Sequence, residues 1–353
     1  MKSDSISTHE NGRLILKKIL RAFIYPPEVL LSEQFAFGHL EIYQRFFDLP
    51  RAKILFAELQ HGWSDDYREL VQNESSKRVL NRRLKQYPLL TWSQALESRL
   101  KSLNYKSVYA ISSPWSLLLT NYNNSRSNGI APNYFETPGS VLYFPTHSFP
   151  GEEALFDASS IERIIKSQNF SLVTTSLYWI DFINPKIREQ FESFSKVICM
   201  GIRATAATET PWGDIGGRIN FLYHLHKAIS EHQYIICDEI GTAAMAALTL
   251  GKQVFITRDK INYKVIYRGE NPSYVDHNSE IISKYGLNKS KNGLGYNLSG
   301  NSDLQELAKR GFGFDISIEK TRRTLERFLG NPSVDIQNTL GTESEYKFLW
   351  DVP

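Results

Sequence analysis

The chain has 353 residues, of which 41% are hydrophobic and 22% are charged, and its formal net charge is +3. This length exceeds the usual size of a single hydrophobic core, so we expect two domains in a protein of ordinary globular composition. The small net charge, with basic residues dispersed along the sequence, argues against nucleic acid as a partner.

The N-terminal region predicts a cytoplasmic protein. Residues 1–12 are polar and lack the apolar core of a signal peptide, and no stretch approaches the roughly 20 apolar residues that span a bilayer. We therefore expect a disordered leader at 1–12. Residues 14–24 carry apolar residues at helical spacing with basic residues between them. Such a helix either packs its apolar face on its own domain, which we favour, or lies peripherally on the inner face of the cell membrane.

The first half of the chain alternates predicted strands with predicted helices. The expected strands cover residues 53–58, 88–93 and 107–111. Residues 121–139 are rich in Asn, Ser, Gly and Pro, which predicts a loop or an interdomain linker. We assign residues 13–125 to an N-terminal domain and residues 126–139 to the linker.

The same alternation restarts after the linker and predicts a complete doubly wound domain over residues 140–300. The expected strands cover residues 140–144, 171–179, 196–202, 234–237 and 253–256, and the expected helices cover residues 159–168, 185–194, 220–231 and 242–250. Residues 301–353 contain two more predicted helices, at 302–309 and 318–329, and we expect this tail to pack back on the first domain. The predicted fold class is α/β, with two Rossmann-like domains facing each other across a cleft.

The segment from Tyr234 to Ile256 is the strongest candidate for a ligand site. A buried strand ends at a polar turn, Asp238 to Thr242, and a helix rich in Ala and Leu begins there. Unpaired N–H groups and the helix dipole at such a helix start favour an anion, and the candidate ligand is a phosphate. The alternative is that Gly241 and Thr242 only form a tight turn and a helix cap.

Polar residues follow several other predicted strands in the same way. These strand-end loops are 61–66, 112–113, 145–151, residue 203, and 238–242. In an open α/β sheet, ligands bind outside the carboxyl ends of the strands. The loops therefore predict a ligand-binding cleft between the two domains.

Three of these loops carry a resemblance to a known family. The segments His61-Gly62, Phe144-Pro-Thr-His-Ser148 and Asp238 to Val254 resemble bacterial surface-polysaccharide glycosyltransferases of the GT-B fold. The last segment is similar to the small residues followed by Ala-Leu and Gly-Lys-Pro-Val in capsule transferases and teichoic acid glycerophosphotransferases. Gln253 stands where proline is usual in that pattern.

The resemblance implies a donor site in the second domain. Gly241 and Thr242 would cradle the phosphate of a nucleotide sugar, while His147, Ser148 and Arg203 would approach it from neighbouring strands. Asp238 or Glu239 would accept hydrogen bonds from ribose or sugar hydroxyls. The implied activity is transfer of a sugar from a CMP- or UDP-activated donor to a capsule, O-antigen or lipopolysaccharide glycan.

The resemblance also implies that the first domain holds the acceptor and a general base. The candidate bases are His61, Asp65 and Asp66, because the base must take a proton from the attacking acceptor hydroxyl. Asp65 and Asp66 alternatively cap the helix that follows them. A covalent carboxylate intermediate, formed on one of these residues or on Glu58 or Glu239, stays open as well.

No metal ion or cofactor is expected beside the nucleotide-sugar co-substrate. The sequence lacks an Asp-X-Asp triplet in its usual context, and His224 and His226 are two apart on a predicted helix and so face different directions. Cys199 and Cys237 lie in apolar runs, which favours buried thiols over a disulfide. Two other functions stay open, a non-hydrolysing nucleotide-sugar epimerase of the same fold and a non-catalytic partner in polysaccharide assembly.

Overall fold

A computed structural model describes residues 36–50, 54–60, 62–63, 88–128, 134–148, 152–154, 158–201, 220–257, 263–265 and 277–330. Several predictions lie outside these residues. They concern the leader, the helix at 14–24, the candidates His61, Asp65, Asp66 and Arg203, and the tail from residue 331.

The described residues form α-helices and β-strands that alternate through most of the chain. The helices are α1 (His39–Phe47), α2 (Gln94–Ser102), α3 (Pro114–Ser127), α4 (Ala158–Lys166), α5 (Trp179–Phe182), α6 (Pro185–Glu192), α7 (Asn220–Glu231), α8 (Thr242–Thr249), α9 (His277–Lys284), α10 (Ser302–Gly311) and α11 (Ile318–Phe328). The strands are β1 (Ile54–Leu55), β2 (Glu58–Leu59), β3 (Leu89–Thr91), β4 (Val108–Ala110), β5 (Thr137–Phe144), β6 (Glu152–Ala154), β7 (Leu172–Leu177), β8 (Lys196–Cys199), β9 (His232–Cys237), β10 (Gln253–Ile256), β11 (Tyr263–Val265), β12 (Tyr296–Asn297) and β13 (Leu329–Gly330).

The larger sheet has six strands in the order β12-β10-β9-β5-β7-β8. Strands β5, β7, β8, β9 and β10 pair in parallel, and β12 pairs antiparallel with β10 at the edge. From β5 the chain moves outward through β7 to β8, and it then crosses to the other side of β5 to form β9 and β10. This is the strand order of a Rossmann sheet, whose direction reverses between β5 and β9.

The smaller sheet has three parallel strands in the order β2-β3-β4. Two further pairs of strands are antiparallel, β1 with β13 and β6 with β11. The α/β class with parallel sheets and helices, predicted from the sequence, is therefore confirmed.

The predicted strand over residues 53–58 was wrong in detail. The structure has two short strands there, β1 and β2, which pair with different partners. Between them the Phe56 N–H donates to the Phe328 carbonyl oxygen at 2.8 Å. Within these few residues the pairing partner changes from β13 to β3 of the parallel sheet, so a single straight strand cannot form.

Residues 121–127 were predicted as loop or linker, and this was wrong because α3 continues to Ser127. Tyr122 stacks on Tyr134 with ring centroids 5.6 Å apart, and the His226 ring lies edge-on to Tyr122 at 4.4 Å. The hydroxyl of Ser127 donates to the Asn123 carbonyl oxygen at 2.9 Å. Tertiary packing of the aromatic residue thus overrides the weak helix propensity of the Asn and Ser residues.

Two predicted strands in the second half end earlier than expected. Strand β7 stops at Leu177, and Trp179 begins the short helix α5 instead of ending the strand. Strand β8 stops at Cys199, where the prediction ran to residue 202. Apolar composition continues past both strand ends, so it could not mark them.

The two sheets share one hydrophobic core. Its buried residues include Leu59 and Trp115 from the first half and Ile235 and Met245 from the second. The Trp115 indole Nε1–H donates to the Thr249 hydroxyl on α8 at 2.9 Å, so α3 and α8 pack against each other with a matched polar group. Within the described part of the chain, no helix is long and apolar enough to cross a membrane.

Candidate functional site

The reversal of strand order between β5 and β9 places a crevice at the carboxyl ends of these two strands. The loops that follow them, residues 145–148 and 238–242, contain six of the predicted site residues. Two hydrogen bonds join the loops: the Asp238 N–H donates to the Phe144 carbonyl oxygen, and the Thr146 N–H donates to Asp238 Oδ2, both at 3.1 Å. The structure therefore brings these two predicted loops together.

Asp238 is the centre of this junction. Its carboxylate accepts hydrogen bonds from the Tyr143 hydroxyl at 2.9 Å, from the Thr146 N–H and from the Thr257 hydroxyl at 2.6 Å. The residue is 1% exposed. Asp238 thus fixes the ends of β5, β9 and β10 relative to one another, which is a positioning role. Its contact with a ribose or sugar hydroxyl stays a prediction.

The turn after Asp238 is held by Asn278 on α9. The Ile240 N–H donates to Asn278 Oδ1, and Asn278 Nδ2 donates to the Asp238 carbonyl oxygen, each at 2.8 Å. A buried side-chain amide that both donates and accepts in this way replaces the backbone partners that a tight turn lacks. No sequence pattern points to Asn278, because it lies 40 residues from Asp238 in a helix that was not predicted.

The loop after β5 is held by a second buried carboxylate. Asp181 on α5 accepts the Ser148 N–H at 3.0 Å through Oδ2 and is 1% exposed. Together with the bond from Thr146 to Asp238, alternate backbone N–H groups of the loop are bound by carboxylates from two neighbouring strand ends. This loop conformation is therefore built into the fold. Asp181 was missed because the preceding strand was predicted to run through residue 179.

His147 lies between these two anchored positions. Its ring packs on Tyr178 with centroids 4.5 Å apart, and its Nδ1 lies 3.1 Å from the Ser148 carbonyl oxygen. The residue is half-buried. The structure places His147 and Ser148 in the crevice loop, and their contact with a donor phosphate stays a prediction.

The N-terminus of α8 opens on the same crevice. Gly241 is its N-cap, with extended backbone angles, and makes no side-chain cap hydrogen bond because glycine has none to offer. The first intrahelical bond runs from the Met245 N–H to the Gly241 carbonyl oxygen at 3.0 Å. A helix start without a side-chain cap leaves its N–H groups and the positive end of its dipole for an anion. Glu239, half-buried, lies beside Gly241.

Thr242, the first residue of α8, connects the crevice to the first half of the chain. Its hydroxyl oxygen accepts the Trp63 N–H at 3.0 Å. A Cβ atom at Gly62 would lie 3.4 Å from the same oxygen, which is an ordinary van der Waals distance, so Gly62 is adjacent to Thr242. The predicted loop after β2 and the predicted loop after β9 therefore meet at Thr242.

Gln60 supports the loop after β2. Its Oε1 accepts the Thr91 hydroxyl at 2.7 Å and the Trp92 N–H at 2.9 Å, and its Nε2 donates to the Gly62 carbonyl oxygen at 2.7 Å. One side chain thus joins the carboxyl ends of β2 and β3 to the segment that reaches Thr242. Gln60 lies directly before the predicted loop 61–66 and was not among the predicted site residues.

The loop at residues 112–113 serves packing. The Ser112 N–H donates to the Thr321 hydroxyl at 2.9 Å, and the Ser112 hydroxyl donates to the Ile316 carbonyl oxygen at 3.0 Å. Ser113 caps α3 through a bond from the Ser116 N–H, and its own N–H donates to the Phe312 carbonyl oxygen. The prediction that the loop at 112–113 lines a ligand cleft was wrong, because residues 312–321 cover this strand end.

Burial is the largest cause of the pKa shifts of the two cysteines and of His226. Burial raises the pKa of the Cys237 thiol well above its usual value and also raises the pKa of Cys199, so both stay protonated near neutral pH. Burial lowers the pKa of His226 to about 4. Among the described residues, no group of three or more His, Cys, Asp or Glu side chains could hold a metal ion.

A cavity of about 320 Å³ lies elsewhere, between α1, α3 and α7. It is lined by Ile42, Arg45, Phe46, Leu117, Leu118, Asn121, Asn124 and Tyr223. None of the crevice residues contributes to its wall. The predicted site therefore rests on strand topology and hydrogen bonding rather than on this cavity.

Comparison with known proteins gives distant structural similarity only. No protein-family model and no curated protein matches the sequence. The UDP-GlcNAc 2-epimerase from Neisseria meningitidis, solved bound to UDP-GlcNAc, has 13% identity over 73% of this chain and 65% of its own, with a TM-score of 0.34. A glycosyltransferase from Rickettsia africae has 12% identity over 76% of this chain and 69% of its own, with a TM-score of 0.29. TarM has 12% identity over 80% of this chain and 50% of its own, with a TM-score of 0.29. The matched part of this chain thus covers less than two thirds of the length of the epimerase, and it covers half of the length of TarM. Similarity at this level shows nothing about activity.

Proposed function

We propose that this chain is a GT-B-like glycosyltransferase that transfers a sugar from a CMP- or UDP-activated donor to a growing bacterial surface glycan. One observation carries the proposal. The uncapped N-terminus of α8 lies at the strand-order reversal of a Rossmann sheet, where a loop from the other half of the chain contacts its first residue, Thr242. This is the arrangement expected where a nucleotide phosphate meets a second substrate.

The donor phosphate would lie against the N–H groups that start α8. Gly241 allows close approach of an anion, and the helix dipole stabilises its charge. His147 and Ser148 are held in the adjacent loop, and Arg203, which follows β8 in the sequence, would supply a guanidinium to the same phosphate. Glu239, beside Gly241, is the candidate to accept hydrogen bonds from sugar or ribose hydroxyls.

The acceptor would approach from the loop after β2. The Trp63 N–H contacts Thr242, so the nearby His61 is the favoured general base, with Asp65 and Asp66 as the alternatives. The acceptor hydroxyl oxygen would bond to the anomeric carbon while the base takes its proton, and the nucleotide would leave with the electron pair of the broken bond. No metal ion is assigned to this step.

The proposal is tested by incubating the protein with nucleotide sugars and glycan acceptors and measuring release of CMP or UDP. His61→Ala is expected to abolish transfer and to leave donor affinity unchanged, whereas Arg203→Ala is expected to weaken donor binding. A free, altered monosaccharide in place of an elongated acceptor would favour an epimerase. Failure to bind any nucleotide would favour a non-catalytic partner in polysaccharide assembly.

As the alternative to packing of residues 14–24 on their own domain, we also propose peripheral membrane association through this segment, whose basic amphipathic pattern suits an anionic surface. Sedimentation with anionic liposomes should decrease when these residues are deleted. Equal sedimentation of the deletion variant would contradict a membrane role for this segment.

A further inference from the structure

The hydroxyl of Thr146 is a buried polar group without a hydrogen-bond partner among the described residues. Thr146 directly follows Pro145 at the end of β5, and it is 2% exposed. Removing a hydroxyl from water without giving it a partner destabilises the folded state, so a buried group of this kind needs an explanation.

Three other buried hydroxyls of the same sheet do have partners. The Thr175 hydroxyl on β7 lies 2.7 Å from the Ser195 hydroxyl, and the Thr174 hydroxyl lies 2.9 Å from His232 Nε2. On β5 itself, the Ser140 hydroxyl donates to the Thr137 carbonyl oxygen at 2.5 Å. Unlike these three hydroxyls, the Thr146 hydroxyl at the crevice is unpaired among the described residues.

The surroundings of Thr146 indicate which kind of ligand would accept a hydrogen bond from its hydroxyl. Its backbone N–H is fixed to Asp238 Oδ2 at 3.1 Å, so the residue is held beside the turn that leads into α8. The carboxylate of Asp238 already accepts from three donors. The Thr146 hydroxyl remains as a donor in the loop that Asp238 joins to the turn before α8, and α8 starts without a side-chain cap. Both features favour an anionic oxygen as the ligand.

We propose that the Thr146 hydroxyl donates a hydrogen bond to a phosphate oxygen of the bound nucleotide, which makes Thr146 a binding residue of the donor site. This inference rests on the proposed function. It adds to the predicted set a residue whose neighbours His147 and Ser148 were the candidates from the sequence.

The test uses Thr146→Val, which exchanges the hydroxyl for a methyl group of nearly the same size. The full-length variant is compared with the wild-type chain and with Thr146→Ser, which keeps the hydroxyl, and with Thr175→Val, which removes a paired hydroxyl from the same sheet. Melting temperature is measured without ligand, and affinity for UDP and for CMP is measured by calorimetric titration.

We expect Thr146→Val to melt at or above the wild-type temperature and to bind the preferred nucleotide about 10- to 100-fold more weakly, the range for a hydrogen bond to a charged group. Thr146→Ser should bind within about threefold of the wild type. Thr175→Val should melt at a lower temperature and retain wild-type affinity.

The possible failures are distinguishable. If the wild-type chain binds UDP or CMP and Thr146→Val binds it equally well, the role of Thr146 is overturned while the proposed function stands. A melting temperature of Thr146→Val as low as that of Thr175→Val would show a structural partner for the hydroxyl, which also overturns the inference. If the wild-type chain binds neither nucleotide, the proposed function fails and the inference fails with it.

Discussion

At the carboxyl end of β4, Ser112 and Ser113 are buried and bonded to residues 312–321 in and before α11, whereas at the ends of β5 and β9 the polar loops are bonded to each other. Both regions look alike in sequence, since each places small polar residues after a buried strand. They differ in what lies over the strand ends. At β4 the residues before and within α11 cover the loop and use its polar groups, while at β5 and β9 buried carboxylates order the loops around an uncapped helix start. Polar residues at a strand end therefore need hydrogen-bond partners, and either other parts of the chain or a ligand can provide them.

The largest expected effect is at the centre of the second region. Asp238→Ala leaves the Tyr143 hydroxyl and the Thr146 N–H buried without their acceptor, and we expect the free energy of unfolding to fall by about 4 kcal/mol. Urea unfolding followed by tryptophan fluorescence measures this loss. Asp315→Ala, at an exposed carboxylate, is the control and should change stability by about 0.5 kcal/mol or less. Equal stability of both variants would contradict the positioning role of Asp238.

The packing between the two halves is expected to weaken in acid. His226 is buried against Trp115 and Tyr122, and burial lowers its pKa from 6.5 to about 4. Because the folded pKa is lower than the unfolded one, the stabilisation is present above about pH 6.5 and is lost as the pH falls toward 4, by up to about 3 kcal/mol. The pKa values of His224 and His232 are lowered in the same direction and add to the slope.

Urea unfolding between pH 7 and pH 4 should show this loss, and His226→Phe should flatten the dependence on pH. The remaining slope comes from the other two histidines and from carboxylates. A slope unchanged by the substitution would mean that His226 is already protonated in the folded chain or is exposed there.

A smaller effect is expected where the first region is covered. Thr321→Val removes the acceptor of the Ser112 N–H and should lower the free energy of unfolding by about 2 kcal/mol without changing nucleotide affinity. Thr146→Val is expected to have the opposite effects: the free energy of unfolding stays the same, and the affinity for nucleotide falls. If both variants behaved alike, the distinction between the packed and the ligand-binding strand ends would fail.

The smallest effect is expected at the contact between the two halves. Thr242→Val removes the hydroxyl that accepts the Trp63 N–H, and we expect a loss of about 1 kcal/mol, whereas Thr242→Ser retains the acceptor. A thermal melt of both variants measures the difference. Identical melting temperatures would show that this hydrogen bond does not stabilise the junction of the loops.

Much of the larger sheet could be predicted from the sequence. Strands such as Gln253–Ile256 are buried on both faces and form continuous apolar runs, and helix α7 shows regular apolar spacing, so their bounds were close to correct. Helix α1 was not predicted, because it buries polar residues such as His39 and Glu41 that a sequence pattern places at the surface.

The site was predictable as a set of loops but not as a hydrogen-bond network. The residues after β5 and β9 could be selected because strand topology sends their loops to one crevice. The partners that fix those loops, Asp181 and Asn278, come from helices distant in the sequence and carry no local signal. The unpaired state of the Thr146 hydroxyl depends on every neighbour in three dimensions, so only the structure reveals it.

Binding of a nucleotide between the loops after β5 and β9 can be measured by hydrogen–deuterium exchange of the full chain with and without saturating UDP or CMP. We expect slower exchange in residues 145–148 and 239–246 when nucleotide is bound, with no change in residues 112–116. Protection confined to the cavity between α1, α3 and α7, or no protection anywhere, would contradict it.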